Sequence, residues 1–433
     1  MRGATKIICV ACTVVFFQAA LPVSGSKLQN KRDGCIAARE WFPRTPAPAN
    51  TRPDPDSDCA FYKWAWQEFL FVTQSARGGN DLPRFIDFST RSELISPKSN
   101  QMHAVRTFIP RDLGAIRQAG SLGMLIDQNG RVLYYATHLN SEFVEFVRAN
   151  SLTESSQLKD GSTDLQFPRG SLELKSSWKV VATGDDVSQF FTIKTSVPVF
   201  KLTANGEIVV DANQVREETL ALVGMHIVGV VEGHPEFIWA TFEHNDDAPD
   251  LPVGLSPRTA QPVESTRSWT LYAKGAKASD CNNKPKKSES TKLFDEQHQT
   301  FGSPVSVFRE FAFGGDDEPE DIKRLNDSVH LLLPPELAVW KNYSFMGATW
   351  LNDPDRDFKE DSDFNGEAAA HPERKVLGGD RRLSNATMET FTQSIQNCFS
   401  CHNTMAKTIG RQVHIPGRKL NMSHALNTAA SVE

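Results

Sequence analysis

Two cysteines and a histidine near the C-terminus have a spacing that suits covalent cofactor chemistry. The chain reads Cys398-Phe399-Ser400-Cys401-His402, which is the pattern Cys-x-x-Cys-His. Residues three apart share one face of a helix, so the two thiols can add to the two vinyl groups of one porphyrin. The histidine that follows can reach the iron as its proximal ligand. The pattern predicts one covalent haem c, attached at Cys398 and Cys401 and ligated through its iron by His402.

Two other interpretations of the motif are weaker. With seven Cys and 11 His in 433 residues, the pattern is expected by chance only about 0.003 times in a chain of this length. The first alternative is a disulfide between Cys398 and Cys401 beside an uninvolved histidine. The second is a zinc site, which is disfavoured because no second Cys-x-x-Cys or paired His supplies the other ligands.

The sixth ligand of the iron is not determined by the motif. Four side chains stand close enough in the sequence to compete for it: Met422, His424, Met388 and His414. A methionine ligand would raise the reduction potential relative to a second histidine. An open position, or a ligand from the region that precedes the motif, is the other alternative.

The C-terminal segment resembles mono-haem c-type cytochromes. In those proteins the two motif cysteines hold the haem by thioether bonds and the motif histidine ligates the iron. Residues 172–178, 222–229 and 234–244 also resemble stretches of exported bacterial proteins assigned to the cytochrome c family. The chain departs from small cytochromes c, whose motif stands near the domain start with a methionine ligand some tens of residues later. Here only 31 residues follow His402.

The N-terminus has the pattern of a secretory signal. Arg2 and Lys6 precede an apolar run over residues 7–20, and small residues follow at 23–25. The pattern predicts a signal peptide over residues 1–26, with an uncleaved anchor as the alternative. No later stretch approaches the length of a membrane span, so we expect a periplasmic or secreted bacterial protein with no span after signal removal.

Removal of the signal leaves five cysteines, an odd number. If the motif uses Cys398 and Cys401, then Cys35, Cys59 and Cys281 remain for one disulfide and one thiol. The sequence allows a Cys35–Cys59 or a Cys59–Cys281 pair and does not choose between them.

Charge and composition limit the partners. The net charge of -6 becomes -8 without Arg2 and Lys6. This balance disfavours nucleic-acid binding and favours a redox partner protein with a basic docking surface. A Gly-rich phosphate loop and a G-x-S-x-G motif are both absent from the sequence, so the usual signals for nucleotide use and acyl transfer are missing.

The hydrophobic pattern predicts an α+β fold, in which a β-rich antiparallel domain precedes a small helical C-terminal haem-binding region. A helix over residues 59–74 is apolar on nearly every face, which is typical of a buried helix. Asn-Gly pairs at 129–130 and 205–206 indicate hairpins. The predicted divisions are a signal peptide over 1–26, a Pro-rich lead-in and aromatic helix over 27–79, a β-rich domain over 80–275, a linker and helical segment over 276–351, a polar loop over 352–383 and the haem region over 384–433.

Within the haem region, Asn397 is the predicted cap of the motif helix and Gly410 its predicted end. Upstream, His226, His234 and His244 fall within one β-rich stretch. They form a metal or catalytic site, line the haem pocket, or hydrogen-bond within the core. The core interpretation leads, because buried polar groups are usually satisfied in that way.

The motif favours one-electron transfer through the haem. We assign no catalytic residue upstream, and whether the chain is an enzyme stays undetermined. The alternatives are a haem enzyme of the peroxidase or oxidase type with an open sixth position, and a haem-containing ligand-binding or sensor protein.

Overall fold

An antiparallel β-sheet is the framework of this computed structural model, and among the described residues it has eight strands. The structure describes residues 34–52, 57–75, 82–95, 113, 116–160, 165–286, 293–313, 319–355, 376–380, 382–393, 397–409 and 413–427. The predicted signal peptide lies outside these ranges, as does most of the predicted polar loop over 352–383. The described strands and helices together give a mixed α+β fold, as predicted.

The described strands, in chain order, are β1 Ser89–Thr90, β2 Tyr134–Leu139, β3 Leu172–Val180, β4 Thr192–Leu202, β5 Ile208–Val231, β6 His234–His244, β7 Phe294–Asp295, β8 Thr300–Phe301, β9 Tyr343–Leu351, β10 Leu377–Gly379, β11 Lys407–Ile409 and β12 Val413–Ile415. The main sheet has the order β1-β2-β3-β5-β6-β9-β10, and β4 pairs with the first half of β5. Its pairs are all antiparallel. Strands β7–β8 and β11–β12 form separate two-stranded hairpins.

The described α-helices are α1 Cys59–Thr73, α2 Arg91–Ile95, α3 Ser141–Ala149, α4 Ser155–Lys159, α5 Pro319–Leu332 and α6 Cys398–Cys401. Short 3-10 turns lie at Arg39–Trp41, Arg84–Asp87, Ala278–Asp280, Pro335–Asn342 and Lys419–Met422. None of the helices in the described part of the chain is long and apolar enough to cross a membrane.

Helices α1 and α5 cover one face of the sheet. Trp66 and Phe69 of α1 pack on Phe242 of β6, with ring centroids 5.0 and 4.3 Å apart. The indole of Trp66 donates to Asn326 of α5 at 2.8 Å, so the polar edge of a buried aromatic is satisfied. The prediction of a buried aromatic helix over residues 59–74 is therefore confirmed, with Gln74 as its C-cap.

The opposite face carries a row of polar side chains. Because side chains alternate along a strand, the residues paired across the sheet project to the same side. Thr137 pairs with Lys175, Lys175 with His226, and His226 with Thr241. The described residues between 383 and 427, which we call the C-terminal segment, pack against this face.

Specific contacts fix the C-terminal segment to the sheet. Asn385 donates to Thr241 Oγ1 at 2.8 Å and to the Phe242 carbonyl at 3.0 Å. The backbone N–H of Ala386 donates to Glu243 at 2.7 Å, and Glu243 also accepts from Arg309 Nε at 2.5 Å. The segment thus approaches β6 closely through hydrogen bonds rather than through a strand pairing.

The C-terminal segment differs from the predicted helical region. Its α-helix ends at Cys401 rather than at Gly410, which lies outside the described residues. The β11–β12 hairpin follows, and its β-branched residues, which include Thr408 and Ile415, favour extended backbone over helix. The prediction of a helical haem region is therefore wrong for the described residues.

Two further predictions have structural outcomes. Of the cysteine pairings left open, Cys35–Cys59 forms, and Cys281 is a buried thiol. Strand β9, which the pattern places in a linker and helical segment, lies inside the main sheet and is buried at all nine positions. A continuous apolar run of this length does not distinguish a buried strand from a buried helix. Residues Cys35–Glu433 belong to one compact unit.

Gly224 on β5 controls how closely the C-terminal segment can approach. A Cβ at this position would lie 2.6 Å from Thr387 Oγ1 and 2.8 Å from Ser177 Oγ. We expect Gly224→Ala to lower the free energy of unfolding by about 1–3 kcal/mol in urea denaturation, through overpacking. Thr387→Ala partly relieves the clash. The double variant should therefore lose less free energy of unfolding than the sum of the losses in the two single variants. Strict additivity would contradict this steric account.

The buried carboxyl group of Glu68 on α1 should make the free energy of unfolding depend on pH. Burial, and secondarily Glu142, raises the pKa of Glu68 to about 8. Between pH 4.5 and 8 the folded protein keeps a proton that the unfolded chain has lost, so stability falls as pH rises. We expect Glu68→Gln to remove up to a few kcal/mol of this decline in denaturation curves, at about 1.4 kcal/mol per pH unit. Glu320→Gln, on the exposed surface of α5, is the control and should leave the decline in place.

Candidate cofactor site

Helix α6 holds the two motif cysteines one turn apart. Asn397 Oδ1 accepts from the Ser400 N–H at 3.1 Å, and Ser400 Oγ accepts from the Asn397 N–H at 3.3 Å. This reciprocal capping box stabilises a helix that is otherwise too short to persist. The predicted cap at Asn397 is confirmed. Cys398 and Cys401 therefore project from the same side of one fixed turn.

The motif lines a cavity of about 410 Å³ between the C-terminal segment and the polar face of the sheet. Cys398, Cys401 and His402 lie on its wall together with His226 and Met388. This volume falls within the range of about 300–1,000 Å³ that is typical of small-molecule and cofactor pockets. The motif residues are thus gathered around a space that can hold a ligand.

His402 is oriented by a backbone hydrogen bond. Its Nδ1 lies 2.8 Å from the Met422 carbonyl oxygen, which can only accept, so Nδ1 carries the proton. Burial, and then the charges of His424 and Lys407, lower the pKa of His402 well below its usual value. The ring is therefore neutral, and its Nε2 keeps a lone pair. A second hydrogen bond that fixes the tautomer in this way is typical of metal-ligating histidines.

Two neighbouring rings pack against His402. The ring centroid of Trp239 lies 4.2 Å away, and that of His424 lies 4.0 Å away in a nearly parallel plane. Phe399 packs against Trp239 with an edge contact at 6.2 Å. The imidazole is consequently confined to one orientation by packing as well as by its hydrogen bond to Met422.

Lys407 joins the motif to the chain that follows it. Its ammonium lies 3.3 Å from the Cys401 carbonyl, 2.5 Å from the Asn421 carbonyl and 2.7 Å from His424 Nε2. An ammonium has donors only, so His424 Nε2 acts as an acceptor. The same nitrogen lies 2.9 Å from the Cys401 carbonyl oxygen. These two acceptors are close together because both accept from the ammonium of Lys407. Burial lowers the pKa of Lys407 to about 8.

The four predicted sixth-ligand residues have different positions. His424 lines the cavity but stacks beside His402 rather than facing it. Met422 is 1 % exposed, packs in the core, and offers its carbonyl to His402. His414 is exposed on β12 and does not line the cavity. Met388 is buried and does line it, so Met388 alone of the four is both on the wall and not stacked on His402.

The three upstream histidines do not converge. His234 is buried against Glu236 at 2.8 Å, and His244 Nε2 donates to the Gln189 carbonyl at 3.1 Å. Only His226 lines the cavity, where its Nε2 lies 3.0 Å from Glu389. Among the described residues, no group of three or more His, Cys, Asp or Glu side chains is placed to hold a metal ion.

Sequence reasoning missed the charged wall of the cavity. Glu173 and Lys175 alternate with leucines on β3, a pattern that is usually solvent-facing, yet both line the cavity. Arg91 and Glu389 complete this wall from other elements. The feature that brings Lys175 to the cavity is the strand register, which sets it opposite His226. Register follows from long-range pairing and cannot be read from either strand alone.

The charges on this wall compensate one another. Burial raises the pKa of Glu389, but His226, and then Lys175, outweigh it, so that the pKa lies below its usual value. Burial lowers the pKa of Lys175, against the opposing effects of Glu389 and Glu173. Glu389 is therefore an ionised carboxylate within the cavity wall.

Comparisons of the chain with protein-family models, with curated proteins and with solved structures gave no match. The functional case therefore depends on the residues of the cavity and their geometry.

The accessibility of the thiols can be tested on haem-free protein. Cys401 is exposed, Cys398 is half-buried, and burial raises the pKa of Cys281 to about 12. Since the thiolate is the reactive form, we expect iodoacetamide to label Cys401 first, then Cys398, and Cys281 last, by peptide mass spectrometry. Resistance of both motif cysteines until a reductant is added would instead indicate a disulfide between them.

Proposed function

We propose that this chain is an exported mono-haem c-type cytochrome that transfers one electron through a haem bound to Cys398 and Cys401 and ligated by His402. The observation that carries the proposal is the cavity itself. It brings both motif thiols and the oriented, neutral imidazole of His402 to one wall. This combination is what covalent attachment and axial ligation require.

The residues around the cavity suit a porphyrin in their chemistry. Val228, Trp239, Ala240 and Met388 supply apolar surface for the macrocycle. Arg91, Arg117 and Lys175 supply positive charge for its carboxylates. The cavity thus combines apolar walls with a few polar groups, as cofactor pockets do.

The haem, when bound, would supply the one-electron couple, and the protein would set its environment. The Met422 carbonyl holds His402 and increases its basicity through Nδ1. Trp239 packs against the His402 ring and limits its motion. A fixed axial ligand and its hydrogen bonds are among the means by which proteins adjust a haem potential.

The compartment and the partner follow from chemistry outside the cavity. The Cys35–Cys59 disulfide suits an oxidising compartment, which supports a periplasmic or secreted location. The acidic balance of the chain supports a redox partner protein with a basic docking surface.

A second candidate function has one observation in its favour. His226 and Glu389 form a hydrogen-bonded acid–base pair on the cavity wall. Such a pair suits a haem enzyme, or a ligand-binding or sensor protein, with an open sixth position. A reduced protein whose spectrum shifts on adding carbon monoxide would favour this class over a pure electron carrier.

The attachment residues are tested by export in a host with c-haem maturation. We expect wild-type protein to keep its haem through denaturing electrophoresis, and Cys398→Ala with Cys401→Ala to lose it. Cys281→Ala is the matched control, since Cys281 is a thiol outside the motif and should not affect haem retention. Full haem retention in the double variant would refute thioether attachment at these positions.

The ligand role of His402 has a separate test. His402→Ala leaves both thiols in place, so we expect covalent haem with an altered iron spectrum, because the axial ligand is lost. His414→Ala, which changes an exposed histidine outside the cavity, is the control. An unchanged spectrum in His402→Ala would remove His402 as the ligand.

A further inference from the structure

We propose that the same cavity binds a small anionic ligand, of the size of azide or nitrite, and that His226, Glu389 and Lys175 form its binding site. This inference rests on the proposed haem and concerns the charged part of the cavity wall. It adds a ligand-binding function to electron transfer.

Three elements bring the three groups together. Lys175 on β3 and His226 on β5 are direct cross-strand partners, so their Cβ atoms lie about 4.5–5.5 Å apart on the cavity side. Glu389 reaches them from the C-terminal segment, with Oε1 3.0 Å from His226 Nε2. Its Oε2 accepts from the Asn385 N–H at 2.8 Å, which fixes the carboxylate. Strand pairing and hydrogen bonds therefore fix the positions of these side chains relative to one another.

Trp239, the residue of the sheet that contacts His402, lies one residue pair along the strands from His226. Trp239, which contacts His402, is paired with Val228, and His226 is the next residue on the same side of β5. Diagonal neighbours of this kind have Cβ atoms about 7–8 Å apart. His402 and His226 thus line the same cavity from different elements, His402 from the C-terminal segment and His226 from β5.

Lys175 has capacity for an anion. Its ammonium has three donors, and among the described residues its hydrogen bond goes to the Gln118 carbonyl at 3.2 Å. It also lies 5.6 Å from the centre of the Tyr135 ring. Lys175 lines the cavity, so its ammonium can donate to a ligand there. A half-buried cation of this kind stabilises a small anion by charge-assisted hydrogen bonds.

The role of His226 and Glu389 in this site is to accept a proton, not to ligate the iron. Nε2 of His226 is engaged by Glu389, so this nitrogen is not offered to a metal. When a weak acid HX enters, X⁻ binds in the cavity, and the H–X bond breaks as its proton passes to the His226–Glu389 pair. Lys175 then donates a hydrogen bond to X⁻. No oxidant or reductant is needed for this binding step.

The experiment titrates ferric holoprotein with sodium azide and follows the optical spectrum. We expect wild-type protein to bind azide, and His226→Ala and Lys175→Met to weaken binding at least tenfold. His226→Gln keeps a hydrogen-bonding side chain and should recover part of the loss. His414→Ala, outside the cavity, should bind as wild type does. Circular dichroism establishes that each variant is folded.

Three outcomes would overturn the inference alone. The first is equal azide affinity in wild type and in His226→Ala and Lys175→Met. The second is a low-spin wild type that ignores azide until Met388→Leu is introduced, because Met388 would then be the sixth ligand. The third is a change from low to high spin in His226→Ala, because His226 would then be a ligand itself. A wild-type protein without covalent haem, measured as the pyridine haemochrome, would overturn the proposed function as well.

Discussion

The site depends on one buried carboxylate, that of Glu243, which binds the C-terminal segment to the sheet. It accepts from the Ala386 N–H and from Arg309 Nε, and it is 1 % exposed. Burial raises the pKa of Glu243, and Arg309 opposes that effect. Removing one partner of such a buried pair costs about 3–5 kcal/mol, because the other is left as an uncompensated charge. Together with the hydrogen bonds of Asn385 to Thr241 and Phe242, this carboxylate holds the segment over the sheet and so helps to close the cavity.

The cavity therefore joins two parts of the chain that supply different chemistry. The C-terminal segment contributes the thiols and His402 within five consecutive residues, so their arrangement is local. The sheet contributes Lys175 and His226, which are 51 positions apart in the sequence and meet only through strand pairing. Local geometry would determine where the proposed haem is attached, and tertiary pairing determines which side chains line the rest of the cavity.

This division explains which features the sequence could predict. Helix α1, the antiparallel sheet and the Asn397 cap were predictable, because each depends on periodicity or capping within a short window. Strand β9 was not, since a buried apolar run fits a strand or a helix equally. The alternation of Glu173 and Lys175 with leucines is typical of a strand with one solvent-exposed face. Their burial follows from a covering segment more than 200 residues later.

The same division gives a reason for the size of the protein. A short segment with its own capping box can present two cysteines and a histidine, as α6 and His402 do. The groups close to the motif are occupied in holding the motif itself, as Lys407 is. The polar wall is formed by Glu389 and by Lys175 and His226 of the sheet, which are held by rigid, paired strands. A protein that only carried electrons would gain little from an acid–base pair and a half-buried cation on the wall of this cavity. Their cost in desolvation is more easily understood if the cavity handles a proton or an anion as well.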